Sequence, residues 1–341
     1  MLKIIALDAM GGDYGARVVV PAAARALKTY PELKVLLVGQ IDKLNPLAAK
    51  HLSAYRDRFE IISATEIVEM AEAPAHALRS KKDSSMRVAL NCVKDARAQA
   101  CVSAGNTGAL MATARFVLKM LPGVDRPAIC TTFPAERGGE VRFLDLGANV
   151  DSSPENLFQF AVMGSVLSQA LDRVENPRIA LLNIGSEEIK GNEVVKRASD
   201  IFSDSQVINY IGYVEGDGIF KNIADVIVCD GFIGNITLKT IEGSVKFVGR
   251  LMKDIVAKRW WNKILILPAL PLLKKLVDYI NPERHNGASL LGLNGIVIKS
   301  HGGASVNAFY HAIGEAVREV EANVPRLIGE KVAVLLKAGP Q

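Results

Sequence analysis

Short runs of isoleucine, valine and leucine that do not alternate with polar residues recur along the chain, and helix-like segments separate several of them. Strands of this kind are buried on both faces, as in parallel sheets. We interpret these runs as strands: Lys3–Leu7, Lys34–Val38, Glu60–Ile62, Ala100–Ser103, Ala128–Phe133, Val141–Leu146, Arg178–Ile184, Val207–Ile211, Val226–Cys229 and Gly295–Lys299. The predicted helices are Val18–Tyr30, Gly108–Met120, Leu157–Leu171, Asn192–Phe202, Thr237–Lys258 and Val306–Val324. The alternation predicts a three-layer α/β/α sandwich with a mostly parallel sheet.

Composition narrows the class of protein further. The chain has 341 residues, 49% of them hydrophobic and 23% charged, which excludes a disordered chain. We expect residues 1–335 to form a single α/β domain. The net charge of +5 is too small to indicate a nucleic-acid partner. No apolar run reaches the roughly 18 residues of a bilayer span. Four scattered cysteines without a C-x-x-C pair predict neither a zinc site nor a disulfide framework, so we expect a reduced, cytoplasmic protein.

Glycine and small polar residues follow six of the predicted strands. Any one of these junctions is as readily a turn with a helix cap. In a parallel sheet, however, the carboxyl ends of the strands share one edge, where ligands bind. Glycine loops that open helices also present free N–H groups to a phosphate. We therefore predict a binding crevice lined by Asp8, Gly11, Gly12, Asp13, Ser103, Gly105, Asn106, Thr107, Gly108, Asp145, Gly147, Asn149, Asn183, Gly185, Lys190, Gly191, Asp230, Gly231, Gly234, Asn235, His301 and Gly302.

Several familiar signatures are absent. The chain has no G-x-G-x-x-G, no P-loop, no G-x-S-x-G and no H-E-x-x-H, which disfavours dinucleotide, nucleoside triphosphate, serine hydrolase and zinc protease chemistry. Cysteine catalysis is also disfavoured, because no cysteine combines a following glycine loop with a nearby histidine. Lys190 lies directly inside a glycine-rich junction, so it is either an anion-binding cation or a solvated lysine.

A basic, apolar segment interrupts the α/β pattern at residues 250–285, where we predict an inserted, protruding helical hairpin. Pro268 and Pro271 divide its ten-residue apolar run into two arms. Apolar residues, tryptophans and flanking cations together are typical of an interfacial membrane anchor. A helix that packs on a partner or second subunit, and an ordinary core element, are the alternatives. The expected contact residues are Lys258, Arg259, Trp260, Trp261, Lys263, Leu267, Leu270, Leu272, Lys274 and Lys275.

The motifs around these junctions, in order along residues 2 to 330, resemble those of the bacterial phosphate acyltransferases of the proteobacterial type. They are Ile5–Asp13, Ser103–Ala112, Leu144–Asn149, Leu182–Gly185 with Lys190–Gly191, Cys229–Asn235, and Leu290–Leu293 with Ser300–Gly302. The resemblance implies a fold similar to isocitrate dehydrogenases and phosphotransacetylases.

The same resemblance implies an activity and partners. A long-chain fatty acyl group would pass reversibly from acyl carrier protein to inorganic phosphate, without metal or nucleotide cofactor. The acyl phosphate would feed phosphatidic acid synthesis through a membrane glycerol-3-phosphate acyltransferase. The family is a homodimer that associates peripherally with the inner face of the cell membrane.

This chemistry requires a held phosphate, a stabilised thioester oxygen and a leaving thiolate. We assign phosphate binding to the Ser103–Gly108 loop and Lys190. Asn235 and the Gly231–Gly234 backbone are candidates for the thioester oxygen or pantetheine, and Asp230 for orienting Lys190 or a water molecule. His301 either protonates the leaving thiolate or has only a structural role in the turn that leads into the next helix. The residues that either shape the same crevice or only cap turns are Asp8, Asp13, Asp145 and Asn149.

Two other function classes fit parts of the pattern. A coenzyme-A-dependent phosphotransacetylase would use the same phosphate loops without needing the hairpin, and it would accept acetyl-CoA. A non-catalytic membrane scaffold of lipid synthesis would use the hairpin alone, so substitutions at Lys190 or Asn235 would leave its cellular role intact.

The basic flank of the hairpin generates a first prediction. Replacing Lys258→Glu together with Arg259→Glu should raise the apparent KM for acyl carrier protein, because that partner is acidic and steered by charge. Stability should not change. Steady-state kinetics at low salt test this expectation, and an unchanged KM would contradict it.

Overall fold

The computed structural model describes residues 2–258, 261, 267–269, 272 and 283–338. The strands are β1 (Lys3–Asp8), β2 (Leu33–Gly39), β3 (Phe59–Ser63), β4 (Ala100–Ser103), β5 (Ala128–Pro134), β6 (Glu140–Leu144), β7 (Arg178–Leu182), β8 (Asn209–Val214), β9 (Val226–Val228), β10 (Ala288–Leu291) and β11 (Ile296–Lys299). The α-helices are α1 (Ala16–Thr29), α2 (Ile41–His51), α3 (Pro74–Ser80), α4 (Ser85–Lys94), α5 (Thr107–Leu118), α6 (Pro154–Asp172), α7 (Glu193–Asp204), α8 (Gly231–Ala257), α9 (Val306–Ala322) and α10 (Val324–Ala338).

All strands of the described chain join one sheet in the order β3-β2-β1-β4-β11-β10-β5-β6-β9-β7-β8. Helices cover both faces, which confirms the predicted three-layer α/β/α sandwich with a mostly parallel sheet. Alternation along β1 shows how the layers form: Ile5 and Leu7 pack in the cluster under α1 and α9, whereas Ala6 packs in the cluster under α4 and α5.

The expectation that all six strand-end junctions share one edge was wrong. β5 is antiparallel to both of its neighbours, β10 and β6, and β10 is antiparallel to β11. The strands β1, β4 and β11 therefore end at one edge, while β6, β9 and β7 end at the opposite edge. Apolar composition reports that a strand is buried, but it carries no information on the direction in which the strand runs.

Each predicted strand and helix has a counterpart whose ends lie within three residues of the prediction, except at the start of α8. The elements missed were α2, α3, α4, α10 and β10. Pro46 lies inside α2 and α3 has only seven residues, so helical periodicity is weak in both. The four residues of β10 were also too few to give a strand pattern.

The long helix α8 begins six residues before its predicted start. Its first turn lies directly against the loop that follows β6, and Asp230 caps it by accepting a hydrogen bond from the N–H of Ile233 at 2.9 Å. A side chain at Gly234 would overlap the carbonyl oxygen of Asp145, and one at Gly231 would overlap that of Asn149. Both glycines are needed because two backbones meet here.

Most of the predicted hairpin at residues 250–285 lies outside the described residues, including Arg259, Trp260, Lys263, Leu270, Lys274 and Lys275. Of the described ones, Lys258 follows the end of α8, Leu267 begins a short 3₁₀ turn, and Trp261 and Leu272 are exposed. In the described ranges, no helix has the length and hydropathy that a bilayer span requires.

The close approach of α8 to the Asp145 loop generates a pair of matched substitutions. Gly234→Ala should lower the free energy of unfolding by about 3 kcal/mol, because backbone cannot yield to the added methyl group. Gly243→Ala, in the same helix with open space around it, should instead be stabilising by about 0.5 kcal/mol. Urea denaturation measures both, and equal effects would contradict the close packing.

Candidate functional site

A groove of about 740 Å³ lies between β5 and α8. Residues of β5 from Ile129 to Pro134 line one side, and one face of α8 from Asn235 to Val245 lines another. Ten residues of helix span about 15 Å, so the groove is long enough for an extended ligand. Its apolar lining residues include Phe133, Leu146, Phe220, Leu238, Ile241 and Val245.

The carboxyl end of β11 supplies a polar flank to this groove through Lys299, Ser300 and His301. Asn286 fixes that turn. Its Nδ2 group donates to Ser300 Oγ and to the Ala308 carbonyl, both at 2.8 Å, and its Oδ1 accepts the His301 N–H at 3.0 Å. The backbone that carries His301 is therefore held from the neighbouring segment.

The hydrogen bonds of His301 define which ring nitrogen carries the proton. Its Nδ1 atom accepts the N–H of Gly303 at 3.1 Å, so in the neutral ring the proton resides on Nε2. Burial lowers the pKa of His301, and the nearby cations Lys239, Lys299 and Lys246 lower it further, against Glu242. The neutral ring can thus present an N–H donor.

Asp8 is buried where β1 and β4 end, beneath the loop that opens α5. Its carboxylate accepts hydrogen bonds from the hydroxyls of Ser85 and Ser103, both at 2.6 Å, and from the N–H groups of Met10 and Gly11. Burial raises the pKa of Asp8, although these four donors oppose the rise. Asp8 therefore organises two of the predicted junctions, which is a positioning role.

The loop after β4 leads into α5 with two free donors. Asn106 caps the helix by accepting the N–H of Ala109, and its Nδ2 group donates to the Met70 and Glu72 carbonyls. Within the described chain, the N–H groups of Thr107 and Gly108 have no protein acceptor, and both residues line the groove. The first and last junctions also meet here, since Asp13 donates its N–H to the Gly302 carbonyl.

A second polar cluster surrounds Asp145 at the opposite edge. Its buried carboxylate accepts the N–H groups of Ile129, Gly147, Ala148 and Asn149, and also Asn149 Nδ2. Burial raises the pKa of Asp145 against these donors. Gly147 and Asn235 belong to both this cluster and the groove, so the groove connects the two edges.

Lys190 does not meet the Ser103–Gly108 loop within this chain. Six inter-strand steps separate β4 from β7, about 29 Å at the usual strand spacing. The Lys190 side chain is exposed and does not line the groove. Asn183 donates to its carbonyl oxygen, and a side chain at Gly191 would meet Asn183. The Asp230 carboxylate caps α8, and among the described residues no hydrogen bond or ion pair joins it to Lys190.

The predicted residues thus fall into two groups. The structure gathers Asp8, Gly11, Gly12, Asp13, Ser103, Gly105, Asn106, Thr107, Gly108, His301 and Gly302 at one edge, and Asp145, Gly147, Asn149, Asn183, Gly185, Lys190, Gly191, Asp230, Gly231, Gly234 and Asn235 at the other. Sequence reasoning missed Lys299, Ser300 and Asn286. A lysine that ends a buried apolar strand was the available signal, because lysines are rarely buried.

The chain is similar to known proteins over almost its whole length. The family model described as "Fatty acid synthesis protein" matches residues 3–327. A phosphate acyltransferase of Coxiella burnetii (strain Dugway 5J108-111) is 59% identical, over 99% of this chain and 98% of that protein. A phosphate acyltransferase of Legionella pneumophila (strain Paris) is 55% identical, over 98% of each chain.

Solved structures support the fold. A phosphotransacetylase from Streptococcus pyogenes superposes with a TM-score of 0.61 at 19% identity, covering 95% of this chain and 94% of that one. The EutD phosphotransacetylase from Staphylococcus aureus gives a TM-score of 0.58 at 17% identity, with the same coverage. At these identities the likeness concerns architecture alone, and it agrees with the predicted phosphotransacetylase-like fold.

The Asp8 cluster generates a prediction for Ser103→Ala. The change leaves Asp8 Oδ2 and the N–H of Gly105 without their hydroxyl partner, so the free energy of unfolding should fall by about 2 kcal/mol. The Ser103 hydroxyl favours ionised Asp8, so the loss should grow as pH rises through the raised pKa of that carboxyl. Exposed Ser80→Ala should change stability by less than about 0.5 kcal/mol. Denaturation curves at several pH values test this, and a loss independent of pH would contradict the role given to Asp8.

Proposed function

The chain belongs to the phosphate acyltransferase family of fatty acid synthesis proteins and is therefore an acyltransferase, and we propose that it transfers a long-chain fatty acyl group from acyl carrier protein to inorganic phosphate. The observation that carries the proposal is the groove between β5 and α8, whose lining is mainly apolar and which has a polar flank at the end of β11. The same groove could therefore hold a hydrocarbon chain on its apolar residues and the thioester group of the donor beside its polar residues.

The apolar part of the groove suits an acyl chain for an energetic reason. Each buried methylene contributes about 0.8 kcal/mol, so a long chain gains far more from this lining than an acetyl group does. Leu238, Ile241 and Val245 recur at helical spacing on the groove face of α8, and Phe133 and Phe220 also line the groove. The lining favours a long-chain donor over acetyl-CoA.

The polar flank suits the reaction itself. A phosphate oxygen forms a bond to the acyl carbon, the carbon–sulfur bond breaks, and the proton of hydrogen phosphate ends on the pantetheine sulfur. Phosphate is the nucleophile, so no activated serine or cysteine is required. The free N–H groups of Thr107 and Gly108 can hold it at the N-terminus of α5. The Nε2–H of His301 can donate to the departing thiolate or the thioester oxygen.

Asn235 has a place in the same proposal. It lies in the first turn of α8, lines the groove and faces Gly147. Its carboxamide can donate to the thioester oxygen or to pantetheine from the Asp145 side of the groove. The proposed role of Lys190 in holding phosphate remains a prediction that the distance within one chain does not favour.

The acyl carrier protein donor is supported by charge on α8. From Gly231 to Lys258 this segment carries five basic and two acidic residues, and its lysines at 246, 253 and 258 are exposed. An acidic carrier protein would be drawn to such a surface. The proposal further includes a homodimer, peripheral membrane association, and use of the acyl phosphate by a membrane glycerol-3-phosphate acyltransferase in phospholipid synthesis.

Release of free acyl carrier protein from palmitoyl-acyl carrier protein, with and without phosphate, tests the proposal. Phosphate-dependent release together with palmitoyl phosphate is the expected result. Efficient use of acetyl-CoA with no use of palmitoyl-acyl carrier protein would instead identify a coenzyme-A-dependent phosphotransacetylase. No turnover of either donor, while active relatives turn over in the same assay, would favour the non-catalytic scaffold.

A substitution that fills the groove tests the acyl-binding surface. Ile241→Trp should reduce kcat/KM for palmitoyl-acyl carrier protein by about 10-fold or more, since a few displaced methylene contacts account for that factor. A short-chain donor should be affected less. Ile236→Trp, which puts the same side chain on an exposed position of α8 outside the groove, should have little effect. Equal losses for long and short donors would contradict this assignment.

A further inference from the structure

Lys299 is a buried cation that forms no direct ion pair with a described residue. It ends β11, a central strand paired with β4 on one side and β10 on the other, and its exposed fraction is only 9%. No carboxylate in the described chain lies within 4.0 Å of its ammonium group. Burying a charge without a direct partner is expensive, so such a group beside a groove is a candidate for binding an anionic ligand.

The observed hydrogen bonds of Lys299 use two of the three N–H groups of its ammonium and leave one without an acceptor. Its Nζ atom donates to the Ser300 carbonyl and, at 3.5 Å, to the carbonyl of Ala104. An ammonium group has three N–H donors, so one remains for another acceptor. Asp8 is close enough to act on the charge of Lys299, but among the described residues no ion pair within 4.0 Å joins the two, and the Asp8 carboxylate instead accepts from two serine hydroxyls and two backbone N–H groups.

The position of Lys299 joins it to the free donors of α5. Ala104, which accepts from Nζ, lies three residues before Thr107, the first residue of that helix. Lys299, Thr107, Gly108 and Ser300 all line the groove. A cation, two free helical N–H groups and a hydroxyl in the same groove supply the kinds of donor that a tetrahedral oxyanion requires.

We propose that Lys299 is the catalytic cation that holds the phosphate nucleophile at the N-terminus of α5 and neutralises its charge as it attacks the thioester. This inference rests on the proposed function, since it assigns a residue to the phosphate half of that reaction. Lys299 lines the groove, whereas Lys190, the lysine proposed from the sequence, lies near the opposite edge of the sheet.

The titration of Lys299 gives the assignment a signature. Burial lowers the pKa of this ammonium to about 8, and Lys239 of α8 acts in the same direction. Asp8 at the end of β1 and Asp13 in the following loop oppose that shift, and His301 is the neighbouring ring with a lowered pKa. Above pH 8 the cation is lost, so phosphate affinity should fall as pH rises.

The test measures the KM for phosphate in Lys299→Met, with Lys43→Met on α2 as the matched exposed control. Loss of a charged hydrogen bond should raise that KM about 10- to 100-fold, with a smaller effect on the KM for palmitoyl-acyl carrier protein. In the wild-type protein the KM for phosphate should rise from pH 8 to 10, and Lys299→Met should lose this dependence. The control should match the wild type.

A direct measurement of phosphate binding distinguishes a failure of the Lys299 assignment from a failure of the proposed acyl-transfer function. Calorimetric titration of inorganic phosphate into the wild-type protein and Lys299→Met, without any acyl donor, should show weakened binding in the variant. Circular dichroism establishes whether the variant is folded. If the variant does not fold, the rise of the wild-type KM for phosphate from pH 8 to 10 tests the assignment instead. An active wild type whose phosphate KM depends on Lys190 and not on Lys299 would overturn this assignment alone. A wild type with no phosphate-dependent acyl transfer would overturn the proposed function.

Discussion

The direction of β5 determines the geometry on which the site depends. Because β5 is antiparallel to both β10 and β6, the two halves of the sheet point their carboxyl ends to opposite edges. Helix α8 starts at one of those edges, against Asp145, and its groove-facing residues reach the surroundings of His301 at the other. A sheet with all strands parallel would have put both polar clusters at the same edge.

Buried carboxylates hold the loops on both sides of that groove. Asp8 and Asp145 occupy similar places, because Asp8 ends β1, Asp145 directly follows β6, and each accepts hydrogen bonds from the turn that comes after it. In both, burial raises the pKa while local donors oppose the rise. Such a carboxylate fixes several backbone N–H groups at once, so it gives a glycine-rich loop one conformation. Lys299 differs because its polar neighbours leave a donor unused.

Much of the architecture could be predicted from local pattern. The run Lys3–Leu7 and its counterparts gave the strands, since apolar residues without alternation must be buried on both faces. Several of the polar residues at strand ends have a structural role. Asn106 and Asp230 cap helices, and Asp145 accepts hydrogen bonds from backbone N–H groups of the turn that follows it. For those residues a structural role and a place beside the groove are compatible.

The sequence by itself determined the α/β class, the family through its ordered motifs, and the glycine-rich junctions as the places to search. Those features are local, because burial, turn formation and helix capping each depend on a few neighbouring residues. Only the tertiary structure decided which junctions meet, that Lys299 lines the groove, and that Lys190 lies many strands from the Ser103–Gly108 loop. Strand order and direction arise from contacts between segments far apart in the chain, such as β10 with β5, and no short stretch of residues encodes them.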